Sequence, residues 1–225
     1  MVVCGATGAL GRAVVAELGG GAEVVAVDRQ LPFPEPVRQA WAGARVHELA
    51  GDLSSAAAVD RLWAEIDAIG PASALVNLVG GFAAGSVLAG DQGTYESMLE
   101  LNLTTAWRSC RAGAARLVAA GGGAIVNVSA RTARQGGQGS AAYAVAKAGV
   151  MRLTEVLAAE LAAQRVRVNA VLPSVIDTAA NRQAMSEKTM AQAVPPAAIA
   201  GVIAFLVSAA AWPISGAAIP VYGWA

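Results

Sequence analysis

The first eighteen residues limit the possible folds more than any other part of this chain. A short apolar run, Met1-Val-Val-Cys4, is followed by the glycine-rich stretch Gly5 to Gly11 and then by a helical pattern from Arg12 to Leu18. A strand, a glycine turn and a helix in this order gather backbone N–H groups at the positive end of the helix dipole. That arrangement suits a pyrophosphate. We therefore expect a nucleotide-binding loop formed by Gly5, Thr7, Gly8, Ala9, Leu10 and Gly11.

The rest of the chain alternates between short apolar runs and longer helical patterns. We predict further strands at 23–27, 45–49, 72–78, 124–128, 166–172 and 217–221, and helices at 37–42, 56–69, 94–120, 141–163 and 195–208. Strands built mainly from Val, Ile, Leu and Ala are typical of a parallel sheet covered on both faces. At 225 residues the chain fits one domain. The prediction is an α/β chain, 1–225, with a single-domain doubly wound Rossmann fold and about seven strands.

Composition narrows the classes of function. The 16 basic and 16 acidic residues balance, and no basic stripe indicates a nucleic-acid partner. Cys4 and Cys110 lack metal-ligand spacing and are read as reduced thiols of a cytoplasmic protein. The only histidine, His47, has no partner motif, which disfavours a Ser-His-Asp hydrolase or a zinc site. The most apolar run, 197–212, is shorter than the ~20 residues of a membrane span, and no leader is visible, so we expect no membrane association.

Two acidic positions bear on the nucleotide. Asp28 ends the second predicted strand, where a carboxylate can accept hydrogen bonds from both ribose hydroxyls and repel a 2′-phosphate. This favours NAD(H) over NADP(H), although the neighbouring Arg29 could hold a phosphate and keeps NADP(H) open. Asp52, followed by Leu53, could hydrogen-bond the adenine or cap the next helix.

Tyr143 and Lys147 are the strongest candidates for catalysis. Four residues apart on a helix, they share one face about 6 Å apart along its axis. A neighbouring ammonium favours the phenolate, so we expect the pKa of Tyr143 to lie below its ordinary value of about 10. Such a tyrosine can give a proton to a carbonyl oxygen or take one from a hydroxyl.

Over nearly its whole length the chain resembles the short-chain dehydrogenase/reductase family. The resemblance rests on the glycine turn, Asp28, Asp52, Asn77-Leu-Val79-Gly80, Asn102, Tyr143-x-x-x-Lys147 and Asn169-Ala-Val-Leu-Pro173 followed by Asp177-Thr178. It implies NAD(P)-dependent hydride transfer at a carbonyl or alcohol carbon. Tyr143 would be the general acid/base, Lys147 would bind the nicotinamide ribose and lower the tyrosine pKa, and Asn102 would support a proton-relay water.

The same resemblance assigns binding residues. The cofactor would contact the glycine loop, Asp28, Arg29, Asp52, Leu53, Asn77, Val79, Gly80, Tyr143, Lys147, Pro173, Ile176 and Thr178, with Ile176 and Thr178 at the carboxamide. The substrate would lie between the segments 80–85 and 130–138, beneath a lid at about 173–193, and would contact Gly81, Ser129, Ala130 and Ser174. Association into a homodimer or homotetramer through the two long helices, about 97–120 and 141–163, is also implied.

One departure from the family pattern concerns the substrate. The family usually has a serine 13 residues before the tyrosine, and here that position is Ala130. A one-residue shift in the loop could bring the neighbouring Ser129 into its place, although strand residues alternate and Ser129 should by default point to the opposite side. Ser140 is expected to cap the long helix. Alanine at this position, the Gly5-to-Gly11 turn and Val79-Gly-Gly-Phe82 resemble the dihydropteridine reductase branch.

Several functions therefore remain open at this stage. The leading hypothesis is an oxidoreductase acting on a carbonyl, an alcohol or a pteridine-like small molecule. A non-catalytic dinucleotide-binding regulator would explain Ala130 but not the retained Tyr143, Lys147 and Asn102. An enzyme of non-redox chemistry on the same fold is the third hypothesis.

Overall fold

A computed structural model describes all residues, 1–225. The centre of the fold is one sheet of seven parallel strands in the spatial order β3-β2-β1-β4-β5-β6-β7. The strands are β1 (Val2–Cys4), β2 (Glu23–Asp28), β3 (Arg45–Ala50), β4 (Ala74–Asn77), β5 (Gly123–Val128), β6 (Val166–Pro173) and β7 (Ala218–Val221). The doubly wound Rossmann fold expected from the sequence is confirmed.

Helices connect the strands and cover both faces of the sheet. They are α1 (Ala9–Gly19), α2 (Glu35–Gln39), α3 (Ala56–Ile69), α4 (Gln92–Leu99), α5 (Thr105–Ala119), α6 (Arg131–Gln135), α7 (Ala141–Leu161), α8 (Ala179–Ala184), α9 (Glu187–Met190) and α10 (Pro196–Val207). Short 3₁₀ turns follow α7 and α10 at Ala162–Gln164 and Ala209–Ala211, and a π-helical turn, Glu100–Thr104, joins α4 to α5.

Each face of the sheet has its own hydrophobic core. Strand residues alternate between the two faces, so Val2 and Cys4 face one core while Val3 faces the other. The first core packs the sheet against α3, α5 and α7 around the buried Trp63. The second packs it against α1, α2 and α10 around Phe33 and Trp41, whose rings meet edge to face. No helix is long and apolar enough to cross a bilayer.

Some predicted boundaries were wrong. Strand β4 is shorter than 72–78, and the predicted helix 94–120 is divided by the π-helical turn. The segment after β5, for which no helix was predicted, contains α6. Ser140 occupies the N-cap position of α7, but its hydroxyl donates to the Gly137 carbonyl and makes no capping hydrogen bond to the helix.

Strands β2 and β3 lie on one side of β1, and β4 to β7 follow on its other side. This reversal of strand order leaves a crevice beyond the carboxyl ends of β1 and β4. Open α/β sheets bind ligands at such a switch point. The two glycine-containing loops found in the sequence, Gly5–Gly11 and Leu78–Gly81, leave β1 and β4 at this edge.

Candidate active site

A groove of about 410 Å³ lies at the switch point, lined by the glycine loop, the ends of β2 and β3, and the segment after β4. The backbone N–H groups of Ala9, Leu10 and Gly11 have no hydrogen-bond acceptor in the protein, whereas that of Arg12 bonds to the Gly8 carbonyl. These first-turn donors, next to the positive helix terminus, can receive an anionic ligand.

Asp28 ties the second strand to the glycine loop. Its Oδ2 accepts hydrogen bonds from both the backbone N–H and the hydroxyl of Thr7, at 3.0 and 2.6 Å, and its Oδ1 accepts from the Arg29 N–H at 2.8 Å. Asp28 and Thr7 both line the groove. A carboxylate offers about four acceptor positions, so one remains for a ligand hydroxyl.

Arg29 and Asp52 lie at the outer end of the same groove, both exposed. Arg29 has no ion-pair partner, so its cation is available to a ligand phosphate. Asp52 accepts hydrogen bonds from the backbone and side chain of Ser54, which lower its pKa. The cap of α3 is Ser55 instead, and Leu53 is a buried wall of the groove.

Of the predicted residues after β4, Val79 and Gly80 line the groove but the Asn77 side chain does not. Asn77 is buried, donates to Asn127 and Cys110, and accepts from Ser109. Its amide therefore holds β4 to β5 and α5.

Tyr143 and Lys147 occupy the first two turns of α7, where Lys147 is 5 % exposed. The Lys147 Nζ donates to the Val128 carbonyl at 2.9 Å and lies 5.9 Å from the centroid of the Tyr143 ring. Burial lowers the pKa of Lys147 to about 8 and raises the pKa of Tyr143 to about 12. The expectation of a lowered tyrosine pKa is wrong for the free protein, because desolvation of the phenol dominates and the ammonium is directed at a carbonyl.

Asn102 lies in the π-helical turn and is 1 % exposed. Its Nδ2 donates to the carbonyls of Gly81 and Met98, and its Oδ1 accepts from the Gly81 N–H at 3.1 Å. A Cβ on Gly80 would lie 2.6 Å from the Asn102 Oδ1 and 3.0 Å from the Lys147 Nζ. The turn thus brings Asn102, and α7 brings Lys147, against the loop that lines the groove.

A second cavity, of about 370 Å³, adjoins Tyr143 and is hereafter the Tyr143 cavity. It is lined by Ala130, and by Asn181 and Met185 from the predicted lid. Ser129 also lies at the wall, but its hydroxyl donates to the Lys147 carbonyl at 2.7 Å and is 1 % exposed. Ser129 therefore secures β5 to α7, as strand alternation suggested, and does not replace the serine missing at Ala130.

Of the remaining predicted site residues, some line the Tyr143 cavity and others do not. Pro173, Ser174 and Ile176 line the Tyr143 cavity. Thr178 instead caps α8 through a hydrogen bond from the Asn181 N–H. Gly81 is held by Asn102 and lies outside the lining, so we find no direct wall contact for it.

Three residues of the Tyr143 cavity were not named individually as site residues from the sequence, although Phe82 and Arg131 lie in segments expected to border the substrate. The Phe82 ring, 62 % exposed, meets the Tyr143 ring edge to face with centroids 5.1 Å apart. Arg131 contributes a cation and packs over the ring of Tyr222. The chain's last residue, Ala225, reaches the same wall. The positions of Phe82 and Arg131, next to Gly81 and Ala130, were the available signals, whereas the approach of the C-terminal residues depends on the order of strands in the sheet.

Comparisons with a family model, with known proteins and with solved structures agree with one another. A family model described as short chain dehydrogenase matches residues 1–189. Galactitol 2-dehydrogenase (L-tagatose-forming) of Cereibacter sphaeroides is 31% identical over 216 residues, covering 90% of this chain and 85% of that protein. The (3R)-3-hydroxyacyl-CoA dehydrogenase of Mus musculus is 32% identical over 245 residues, covering 99% and 94%. A crystal structure described as a short-chain dehydrogenase/reductase from Burkholderia xenovorans has a TM-score of 0.92 and 34% identity, covering 99% and 94%.

Proposed function

The chain belongs to the short-chain dehydrogenase/reductase family, and from that membership we propose that it is an NAD(P)-dependent oxidoreductase in which Tyr143 is the general acid/base. The proposal is supported by one observation above the others. Tyr143 and Ala130 line a single cavity, while Lys147, one turn from Tyr143, packs against Gly80 of the adjoining groove. A reacting carbonyl and a dinucleotide would thus approach the same pair of side chains from two sides.

The residues of the groove suit a dinucleotide. Three unpartnered N–H groups begin α1, the Asp28 carboxylate keeps one acceptor position, and Gly5–Gly11 leaves the backbone accessible. When bound, the nicotinamide supplies or accepts the hydride. We propose NAD(H) on the strength of Asp28, with Arg29 leaving NADP(H) as the alternative.

Within this proposal the protein's own groups handle the proton. The phenol of Tyr143, with its pKa raised to about 12, is protonated near neutral pH and can donate to a carbonyl oxygen. Lys147 places a buried ammonium behind it, which stabilises negative charge as the proton leaves. Asn102 positions the Gly81 backbone, and Pro173 and Ile176 bound the cavity on the side of the lid.

Ala130 and the exposed Phe82 favour a flat, easily reduced substrate within this class. Without a hydroxyl at Ala130, the carbonyl oxygen has one donor fewer, and Phe82 offers a ring face beside Tyr143. A pteridine-like substrate meets both conditions and is the first to test. The same Ala130 is the observation in favour of a non-catalytic dinucleotide-binding regulator.

The test is NADH oxidation by the wild-type protein and by Tyr143→Phe, with a quinonoid dihydropterin and a panel of ketones. We expect turnover by the wild type and a 10²- to 10⁴-fold loss in the variant, the range for removal of a general acid. NADH affinity, measured by fluorescence, should be nearly unchanged. Tight NADH binding without turnover of any substrate would favour the regulator, and product formation without NADH oxidation would favour non-redox chemistry.

A further inference from the structure

Arg131 is the one charged side chain that lines the Tyr143 cavity. It begins α6 directly after Ala130, and its guanidinium lies over the ring of Tyr222, 5.3 Å from the ring centroid. Its Nε donates to the Gln135 Oε1 at 2.8 Å. Stacking and this hydrogen bond hold the planar group in one orientation, which reduces the entropy lost when it binds a ligand.

The terminal nitrogens of this guanidinium have no partner in the protein. Neither Nη1 nor Nη2 donates a hydrogen bond, and Arg131 takes part in no ion pair, either with an acidic side chain or with the C-terminal carboxylate of Ala225 at the same wall. The other arginine of this region, Arg182, is instead paired by two hydrogen bonds with Asp177. Arg131 thus presents a cation without an ion-pair partner at the wall that also presents Tyr143.

We propose that Arg131 binds an anionic group of the substrate, and that the substrate class is a small oxo acid or the corresponding hydroxy acid. This inference rests on the proposed oxidoreductase activity, and it names a different substrate class from the pteridine-like compound considered above. In the reducing direction, the carbonyl carbon gains the hydride lost by NADH, the carbonyl oxygen gains the proton of Tyr143, and the carboxylate stays unchanged on Arg131. The parallel Nη donors match the two oxygens of a carboxylate, and they match a phosphate in the same manner.

The size of the cavity favours a small acid. At about 370 Å³ it lies near the lower end of ligand pockets, and its walls contain no acidic side chain that would oppose an anion. Ser174 and Asn181 at the same walls offer neutral polar groups for hydroxyls of such a substrate. Binding of the charge at Arg131 would orient the carbonyl and offset part of what is lost with the missing serine at Ala130.

The experiment compares acids with their methyl esters. Initial rates of NADH oxidation are measured for pyruvate and acetoacetate, for their methyl esters, and for dihydroxyacetone phosphate with dihydroxyacetone as its neutral counterpart. The proteins are the wild type, Arg131→Met, Arg131→Lys and Arg134→Met. Arg134 is an exposed residue of α6 that does not line the cavity, so its variant is the matched control.

We expect Arg131→Met to lower kcat/KM for the preferred anion by about 10- to 100-fold, as for loss of a charge-assisted hydrogen-bonded pair. The effect should fall mainly on KM, spare the neutral counterpart, and be partly restored in Arg131→Lys. A preference for the phosphate pair over the acid pairs would keep the anion site and replace the oxo acid as the substrate class. Equal losses for charged and neutral substrates, or no loss, would overturn the role of Arg131.

A binding measurement separates this inference from the proposed function. If the wild type oxidises NADH with none of these compounds, the redox proposal fails for them, and malonate is then titrated calorimetrically into the protein saturated with NAD⁺. Malonate affinity that falls at least tenfold in Arg131→Met and persists in Arg134→Met supports the anion site. Equal affinities of the three proteins for malonate, or no measurable binding, overturn it.

Discussion

Tyr143 and Lys147 illustrate how burial changes the chemistry of single residues. The spacing of the pair suggested that the ammonium would lower the tyrosine pKa, yet desolvation shifts each group toward its neutral form. The Lys147 ammonium donates its hydrogen bond to the Val128 carbonyl and none to the phenol. A dinucleotide in the groove would change the surroundings of both groups, and the free protein is the state in which their titration can be isolated.

The depressed pKa of Lys147 predicts a dependence of stability on pH. With a pKa of about 8 in the folded protein and about 10.4 when unfolded, Lys147 holds more protons in the unfolded chain at intermediate pH. The free energy of unfolding should therefore rise above pH ~8, by up to about 1.4 kcal/mol per pH unit. Lys147→Met should lack this contribution. Urea denaturation of both proteins from pH 7 to pH 9 checks it, and parallel pH profiles would contradict it.

The alanine at position 130 leads us to predict that a serine substituted there increases the activity. A serine at this position would add a hydroxyl to the cavity that Tyr143 lines. Loss of one such donor typically costs 10²–10³ in rate, so we expect Ala130→Ser to raise kcat/KM for simple ketones by roughly 10- to 100-fold. Ala133→Ser, on α6 but outside the cavity, is the control. If ketone turnover is unchanged in Ala130→Ser, the missing hydroxyl does not limit the reaction.

At the scale of elements, the glycine turn and the π-helical turn bring separate segments together at the groove. The close approach of α1 to the loop leaves no room for a side chain at Gly11, where a Cβ would lie 2.1 Å from the Gly5 carbonyl oxygen. The same atom on Gly8 would lie 3.5 Å away, in ordinary contact. The two glycines of this motif therefore differ, because a side chain has no room at Gly11 but would make only ordinary contacts at Gly8.

These two glycines predict opposite outcomes for the same substitution. Gly11→Ala should destabilise the protein by several kcal/mol, because backbone atoms must move apart, and it should unfold at lower urea concentration. Gly8→Ala should keep near wild-type stability, since its φ of −63° suits alanine, but bind NADH more weakly at the groove it lines. Urea denaturation and NADH fluorescence titration measure the two effects. Similar stabilities of the two variants would argue against this explanation.

At the scale of the whole molecule, the outer faces of α5 and α7 remain apolar. Trp107 is 58 % exposed on α5, Val156 is 45 % exposed on α7, and both border one surface depression with Leu103 and Leu153. Apolar surface of this kind marks a candidate protein interface. It lies on the two long helices through which the family resemblance implies association.

We therefore predict that Val156→Asp weakens self-association. A carboxylate placed in this largely apolar contact would lose its hydration on association, which is unfavourable. Size-exclusion chromatography with light scattering should show a dimer or tetramer for the wild type and a smaller species for the variant. Leu88→Asp, at a fully exposed loop position, is the control and should leave the mass unchanged. A monomeric wild type would contradict the prediction.

The hydrophobic periodicity and the strand–turn–helix order were sufficient to predict the fold, because both can be read from short stretches of sequence. Alternating apolar runs and helical patterns predicted the parallel sheet, and the strand–turn–helix order predicted the groove at its edge. Helix α6 was not predicted, because five residues, four of them polar, carry little helical signal without tertiary contacts. The π-helical turn was also missed as such, since one wider turn barely changes the apolar spacing of the surrounding helices.

The sequence by itself determined the fold class, the glycine loop and the candidacy of Tyr143 and Lys147, since each depends on residues close together along the chain. Only the tertiary structure decided where side chains point and what surrounds them. It turned Asn77 away from the groove, engaged Ser129 with the Lys147 carbonyl, and raised the pKa of Tyr143. It also left Arg131 unpaired in the Tyr143 cavity. These properties depend on burial and on partners distant in sequence, which no local pattern specifies.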